Sequence, residues 1–67
     1  MTQDYVSVTI TKYHTAGLLK GMTSTEEEKW VEWNDCIARA KEINRKSVWD
    51  WNITEIKDNN SDKVWHN

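Results

Sequence analysis

Alternation of apolar and polar residues near the start of the chain predicts a β-strand over residues 5–15. β-branched apolar residues occupy every second position from Val6 to Ile10, with serine or threonine between them. This period of two is typical of a strand with one buried face. A short apolar run at residues 18–22 follows Gly17, which can adopt the positive φ of a tight turn. We therefore expect a β-hairpin with strands at 5–15 and 18–22.

A helical period follows and predicts one helix over about residues 26–45. Thr25 with Glu28, or Ser24 with Glu27, would form a capping box at its start, and Asn44 is the expected terminator. Six apolar side chains fall on one arc of this helix, opposite its charged residues. They are Trp30, Trp33, Cys36, Ile37, Ala40 and Ile43. The pattern indicates a helix with one buried face.

The β pattern returns over residues 47–57, where Trp49, Trp51 and Ile53 share one face. The apolar positions change parity before Ile56. Either a bulge near Thr54-Glu55 or exposure of Ile56 on the second side of the sheet would explain the change.

A dense run of turn-forming residues covers positions 58–62. Residues 63–66 then form either a fourth short strand or a frayed end. The elements add up to a small α+β domain of ββαβ or ββαββ type. Its sheet is antiparallel or mixed, with the helix packed on one face.

Length and composition restrict the function classes. The 67 residues fit one domain, 1–67. The net charge is −2, which disfavours nucleic acid as a partner because its phosphates attract positively charged proteins. The single cysteine cannot form an intramolecular disulfide, so we expect a reducing, cytoplasmic location. Residues 1–4 have no leader character and no apolar run would span a membrane, so no membrane partner is expected.

Catalytic, metal and cofactor sites are not expected. Cys36 lies on the apolar arc, where burial hides a thiol. His14 has no neighbouring carboxylate in the sequence to orient it, and His66 is the penultimate residue. Carboxylates at Glu28, Glu32 and Asp35 would follow one exposed helix face, which is common on solvated helices. The sequence predicts a protein that is not an enzyme.

Surface aromatic rings and an acidic segment indicate a role in binding. Five tryptophans and two tyrosines exceed what so small a core can enclose, and a single helix leaves one sheet face open. With Trp30, Trp33 and Trp51 assigned to the core and Trp65 folded over the sheet edge, the other rings lie near the surface. The expected partner-binding residues are Glu27, Glu28, Glu32, Asp35, Tyr5, Tyr13 and Trp49.

The acidic segment has an ordinary explanation and a functional one. Five carboxylates accompany one lysine between Thr23 and Asp35. Matching of the helix dipole and solubility would explain them. Alternatively, they would occupy a basic groove on a partner protein.

Two other functions fit the residues. One is a nucleic-acid-binding regulator that uses Trp49, Trp51 and the basic helix end from Lys41 to Lys46. The other is a homodimeric structural protein paired through an exposed strand edge.

The layout resembles that of small phage-encoded accessory proteins, a group that includes the anti-CRISPR inhibitors. The resemblance rests on three parts of the chain: the hairpin around residues 13–22, the acid-capped amphipathic helix, and the strand containing Val48-Trp49-Asp50-Trp51. It implies a compact protein of the host cytoplasm that binds and disables a host nuclease or surveillance complex. The net charge of −2 differs from that of the strongly acidic DNA mimics in this group.

Overall fold

A computed structural model describes residues 5–67 and has five elements. In chain order they are β1 (Tyr5–His14), β2 (Thr23–Glu32), α1 (Trp33–Lys46), β3 (Trp51–Asp58) and β4 (Val64–His66). The strands form one antiparallel sheet in the order β2-β1-β3-β4. The α+β class with one helix on a sheet is confirmed, in its ββαββ form. Residues 1–4, on which the expectation of no leader rests, lie outside the described residues.

The predicted second strand at residues 18–22 and the predicted helix start at residue 26 are both wrong. Residues 18–22 belong to the loop between β1 and β2, and the glutamate-rich segment predicted as the first helical turns is extended. The helix begins at Trp33 instead of residue 26. Glutamate favours helices, but pairing with β1 at eight positions outweighs this weak local preference.

Cations on neighbouring elements compensate the acidic side chains of β2. The Lys12 ammonium on β1 lies 2.7 Å from the Glu26 carboxylate and 4.1 Å from the centre of the Trp51 ring. The Arg39 guanidinium on α1 lies 3.4 Å from the Glu28 carboxylate. The carboxylates on the helix side of β2 are therefore part of the packing between elements.

Caps at the two ends of α1 differ from those expected. The predicted capping box does not form, because its residues lie in β2. The Glu32 carboxylate instead accepts hydrogen bonds from the backbone N–H groups of Asn34 and Asp35, at 3.3 and 2.9 Å. At the other end, Ser47 has a left-handed backbone and donates its N–H to the Ile43 carbonyl.

Asn44 does not terminate the helix. It lies in the last turns of α1 and joins the helix to β3. Its side-chain amide donates to the Ile53 carbonyl and its side-chain oxygen accepts from the Ile53 N–H, both at 2.8 Å.

The core lies between α1 and one face of the sheet. Its buried residues are Val8, Ile10, Cys36, Ala40, Ile53 and Ile56. Trp33, Trp51 and Trp65 are half-buried against this cluster, as expected for the rings assigned to the core and the sheet edge. Trp30 is the exception, because it precedes the helix and does not join the core.

Of the two explanations for the parity change in β3, the bulge is confirmed and the exposure of Ile56 is wrong. The strand begins at Trp51 instead of residue 47. Thr11 of β1 pairs with Glu55, whereas the next residue, Lys12, pairs with Ile53. Thr54 is the extra residue, which explains how Ile53 and Ile56 are both buried on the helix side. The predicted fourth strand also forms, as β4. Within residues 5–67, no helix has the length and apolar character that crossing a membrane requires.

Candidate protein-binding surface

A β-bulge on β2 holds Trp30 outside the core. Val6 pairs with Val31 and Val8 pairs with Glu28, so one residue of β1 faces two residues of β2, Lys29 and Trp30. Trp30 has φ 60°, in the left-handed region that costs a non-glycine residue about 1–2 kcal/mol. Its side chain is 81% exposed. The fold therefore maintains an unfavourable backbone conformation that leaves a large ring in solvent.

Tyr5 lies beside Trp30 at the same end of the sheet, where it pairs with Glu32. The two rings line two neighbouring grooves, of about 300 and 430 Å³. The first groove also includes Val6, Ser7, Lys29 and Asn60. The second continues over the start of α1 and includes Val31, Glu32, Asp35, Ala38 and Arg39. We call Tyr5 and Trp30, with these two grooves, the Trp30 ridge.

The charges around the ridge are mixed and mostly paired. The Glu32 carboxylate caps α1, and Glu28 pairs with Arg39 at the edge of the second groove. Lys29, in the first groove, lies 4.0 Å from Glu27. The acidic residues therefore stabilise the fold as well as shape the surface. Matching of a helix dipole explains only those at the start of α1, because Glu26, Glu27 and Glu28 lie in β2.

The predicted partner-binding residues divide into two groups. Tyr5, Glu32 and Asp35 meet at the ridge, and Glu28 reaches it through Arg39. Glu27 points to the opposite face of β2 from Glu28, because side chains alternate along a strand. Two of the predicted rings, Tyr13 and Trp49, are exposed at the other end of the sheet, roughly 25 Å from Tyr5 along β1.

Trp30 and Arg39 are the most important of the ridge residues that the sequence does not indicate as partner-binding. Trp30 fits the apolar period of a helix that would begin among the glutamates, and this period predicts a place for it in the core. The position it occupies in the bulge usually holds glycine, so no residue type in the sequence marks it. Arg39 is one of the charged residues opposite the apolar arc of the helix, and the sequence does not indicate its partner on β2.

The open face of the sheet is largely polar. Thr9 donates a hydrogen bond to the Asn59 side chain at 2.7 Å, and the His66 ring lies 2.8 Å from the Glu55 carboxylate. Apart from the rings at its two ends, this face offers a partner hydrogen-bonding groups rather than apolar area.

Groups with catalytic or metal-binding chemistry are dispersed. Cys36 is buried, and desolvation raises the pKa of its thiol, an effect that the Arg39 charge partly offsets. The His14 ring forms a hydrogen bond with the Ser24 hydroxyl at 2.9 Å. In the described part of the chain, no three histidine, cysteine or acidic side chains converge as metal ligands would.

Comparison with protein-family models, with curated proteins and with solved structures finds no match to this chain.

Proposed function

We propose that the protein is a non-enzymatic binding module that blocks another protein by contact, with the Trp30 ridge as its contact surface. The single observation that carries the proposal is Trp30, an exposed ring held out by a strained bulge. Strained backbone persists where the surrounding structure imposes it, and such positions cluster at functional sites. Tryptophan and tyrosine are also the residues most often found at the energetic centre of protein interfaces.

The grooves beside the ring support a protein partner over a small ligand. Each is open and shallow and is lined by both apolar and charged residues, including Lys29 on one side and Asp35 on the other. An apolar centre within a polar, charged border is the usual composition of a protein interface. The partner surface that fits has an apolar pocket for Trp30 and cationic groups opposite Glu32 and Asp35.

A host nuclease complex is the partner class that we propose first. This part of the proposal rests on the resemblance to phage-encoded inhibitors in size, charge and layout, and it places the protein in the host cytoplasm. Contact inhibition needs one well-formed surface and no catalytic group, which a chain of 67 residues can provide.

The test measures cleavage of target DNA by a panel of purified CRISPR effector complexes, each incubated first with the wild-type chain. We expect one effector to be inhibited, and Trp30→Ala to raise the dissociation constant about 30-fold, because truncating a central interface tryptophan costs about 2 kcal/mol or more.

Trp49→Ala is the matched control, since Trp49 is a half-exposed ring at the far end of the sheet. Inhibition lost with Trp49→Ala but kept with Trp30→Ala would place the contact surface elsewhere. A panel in which no effector is bound or inhibited would reject the nuclease partner.

Nucleic-acid binding is the alternative function, and one shallow groove combines the aromatic and basic side chains that such binding uses. Trp49 and Lys46 share this groove at the end of α1. However, Arg45 and Lys46 both pair with Glu42, and the hydrogen bond from Arg45 lowers the pKa of that carboxyl. This arrangement weakens the local positive charge. Salt-sensitive binding of a labelled oligonucleotide would favour nucleic-acid binding over protein binding through the Trp30 ridge.

A further inference from the structure

The end of the molecule opposite the Trp30 ridge carries a projecting apolar loop. Residues 15–22 connect β1 to β2. Leu18 is fully exposed, and Leu19 and Met22 are about half exposed. Three unsheltered apolar side chains within five residues are unusual on a surface with no partner.

Backbone hydrogen bonds fix the conformation of this loop. Met22 accepts from the His14 N–H at 2.9 Å, and the His14 carbonyl accepts from the Gly21 N–H at 2.8 Å. Gly17 and Gly21 have φ of 80° and 85°, which side-chain-bearing residues rarely adopt. The leucines are therefore presented in a defined arrangement, which reduces the entropy lost when they bind.

A second exposed apolar segment lies beside the base of the loop. The Asp50 carbonyl accepts hydrogen bonds from the N–H groups of Thr15 and Ala16, at 2.7 and 3.3 Å. Val48 and Trp49, just before Asp50, are both exposed. We call residues 15–22 and 47–50 together the Leu18 end.

Residues 15–25 and 42–50, which include the Leu18 end and the adjoining helix terminus, together carry a net charge of +1 in a protein whose net charge is −2. Arg45 and Lys46 in this region pair with Glu42. Residues 15–25 contain Lys20 and no acidic residue, and residues 42–50 contain Arg45 and Lys46 with Glu42 and Asp50. Three cations against two anions give +1 for these residues. The rest of the chain carries −3, and the two parts add up to the net charge of −2. Lys20, beside the leucines, forms no ion pair within residues 5–67.

We propose that the Leu18 end binds the surface of an anionic lipid bilayer. Leu18 and Leu19 would enter the boundary between headgroups and acyl chains, and Trp49 would lie at headgroup level, where tryptophan is enriched. The Lys20 ammonium would face the anionic headgroups. This surface contact differs from the sequence-based expectation of no membrane partner, which rested on the absence of a spanning segment.

Composition and charge favour lipid over two other occupants. Leucine is under-represented at the energetic centres of protein interfaces, whereas leucine, tryptophan and lysine together are typical of interfacial membrane binding. A second copy of the chain would bring two Lys20 ammonium groups close together, which is unfavourable. The proposal is independent of the function assigned to the Trp30 ridge, which lies at the other end of β1.

The test is co-sedimentation with large unilamellar vesicles made of equal amounts of phosphatidylcholine and phosphatidylserine. We expect the full chain to sediment with them, and the double variant Leu18→Ser, Leu19→Ser to bind at least about tenfold more weakly because it loses the inserted apolar area. Lys20→Glu should weaken binding to these vesicles without changing the low level bound to pure phosphatidylcholine. Val64→Ser, a similar change at an exposed site on β4, is the matched control and should bind as the wild type does.

Three results would overturn the proposal. They are a wild-type chain that stays in the supernatant, equal binding by the wild type and the double leucine variant, and concentration-dependent dimers that the double variant abolishes in the absence of lipid. Circular dichroism of each variant checks the fold, which should be unchanged because the substituted side chains do not belong to the core.

Discussion

Within residues 5–67, two non-glycine residues have a left-handed backbone, Trp30 and Ser47. Ser47 ends a helix, where this conformation is common and satisfies a terminal carbonyl. Trp30 lies in a strand, where the same conformation is unfavourable, and its exposed ring gains little from burial in return. At the scale of single residues, Trp30 is therefore the position where stability and binding are expected to conflict.

Replacing Trp30 with glycine tests this conflict. Trp30→Gly should leave the free energy of unfolding unchanged or raise it by up to about 1 kcal/mol, because relief of the left-handed backbone offsets the greater entropy of glycine in the unfolded chain. Trp30→Val should lower it by about 1 kcal/mol, since a β-branched residue is at least as strained there. Urea denaturation measures both. A loss above about 2 kcal/mol for Trp30→Gly would mean that the ring packs against the protein.

Cys36 provides a pH-dependent prediction. Burial raises the pKa of its thiol above the ordinary 9.0, so the unfolded chain releases this proton at a lower pH than the folded chain. The stabilisation is fully present below the ordinary pKa and is lost as pH rises through the folded-state pKa. The free energy of unfolding should fall more steeply above pH 9.0 in the wild type than in Cys36→Ala. Parallel curves would show that the thiol is not desolvated.

Several of these residue environments could be predicted from the sequence. The positive φ of Gly17, the burial of Cys36 and the exposure of Tyr5, Tyr13 and Trp49 follow from local pattern and agree with the structure. The environment of Trp30 could not be predicted in this way, because it depends on the register between β1 and β2. Pairing register is a long-range property that a helical period in the sequence does not contain.

Among the elements, the segment from Thr23 to Glu32 shows why local sequence was insufficient. Its serine, threonines and glutamates satisfy the pattern of a helix start, and the apolar period continues smoothly into the true helix. Residues distant in the sequence favour a strand here instead of a helix. Lys12 on β1 forms an ion pair with Glu26, and Arg39 on α1 forms one with Glu28. The bulge at Thr54 could be predicted because the buried residues of β3 themselves change parity around it.

Asn44 connects two elements and should be sensitive to substitution. Asn44→Ala should lower the free energy of unfolding by about 2 kcal/mol, because it leaves a partly buried N–H and C=O of Ile53 without their partners. Lys41→Ala, at an exposed position on the same helix, is the control and should change it by less than about 0.5 kcal/mol. Thermal or urea unfolding measures the difference, and equal effects would mean that water replaces the side chain without cost.

At the scale of the whole molecule, the outer edge of β2 bears on self-association. This ten-residue strand has a neighbour on one side only, so its outer edge could pair with a second copy, as the homodimer alternative requires. Its three consecutive glutamates oppose such pairing, because like charges facing each other across strands are destabilising. Glu27 is the least compensated of them, with Lys29 at 4.0 Å as its counter-ion.

Removing the Glu27 charge should therefore promote association. We expect the wild type to remain monomeric in sedimentation velocity at concentrations where Glu27→Val forms dimers. Lys57→Val is the matched control: Lys57 and Glu27 both pair with Thr9, but Lys57 lies on an interior strand. A wild-type dimer, or equal association of both variants, would contradict a protective role for the edge charge.

The junction between β2 and α1 has a mechanical consequence. The strand ends at Glu32 and the helix begins at Trp33, so no flexible residue separates them. A ligand that displaces Trp30 would transmit that displacement directly to the first helical turn, whose N–H groups at Asn34 and Asp35 are bonded to Glu32. Occupancy of the ridge should thus be detectable as altered amide hydrogen exchange along the helix, at positions that the ligand itself does not touch.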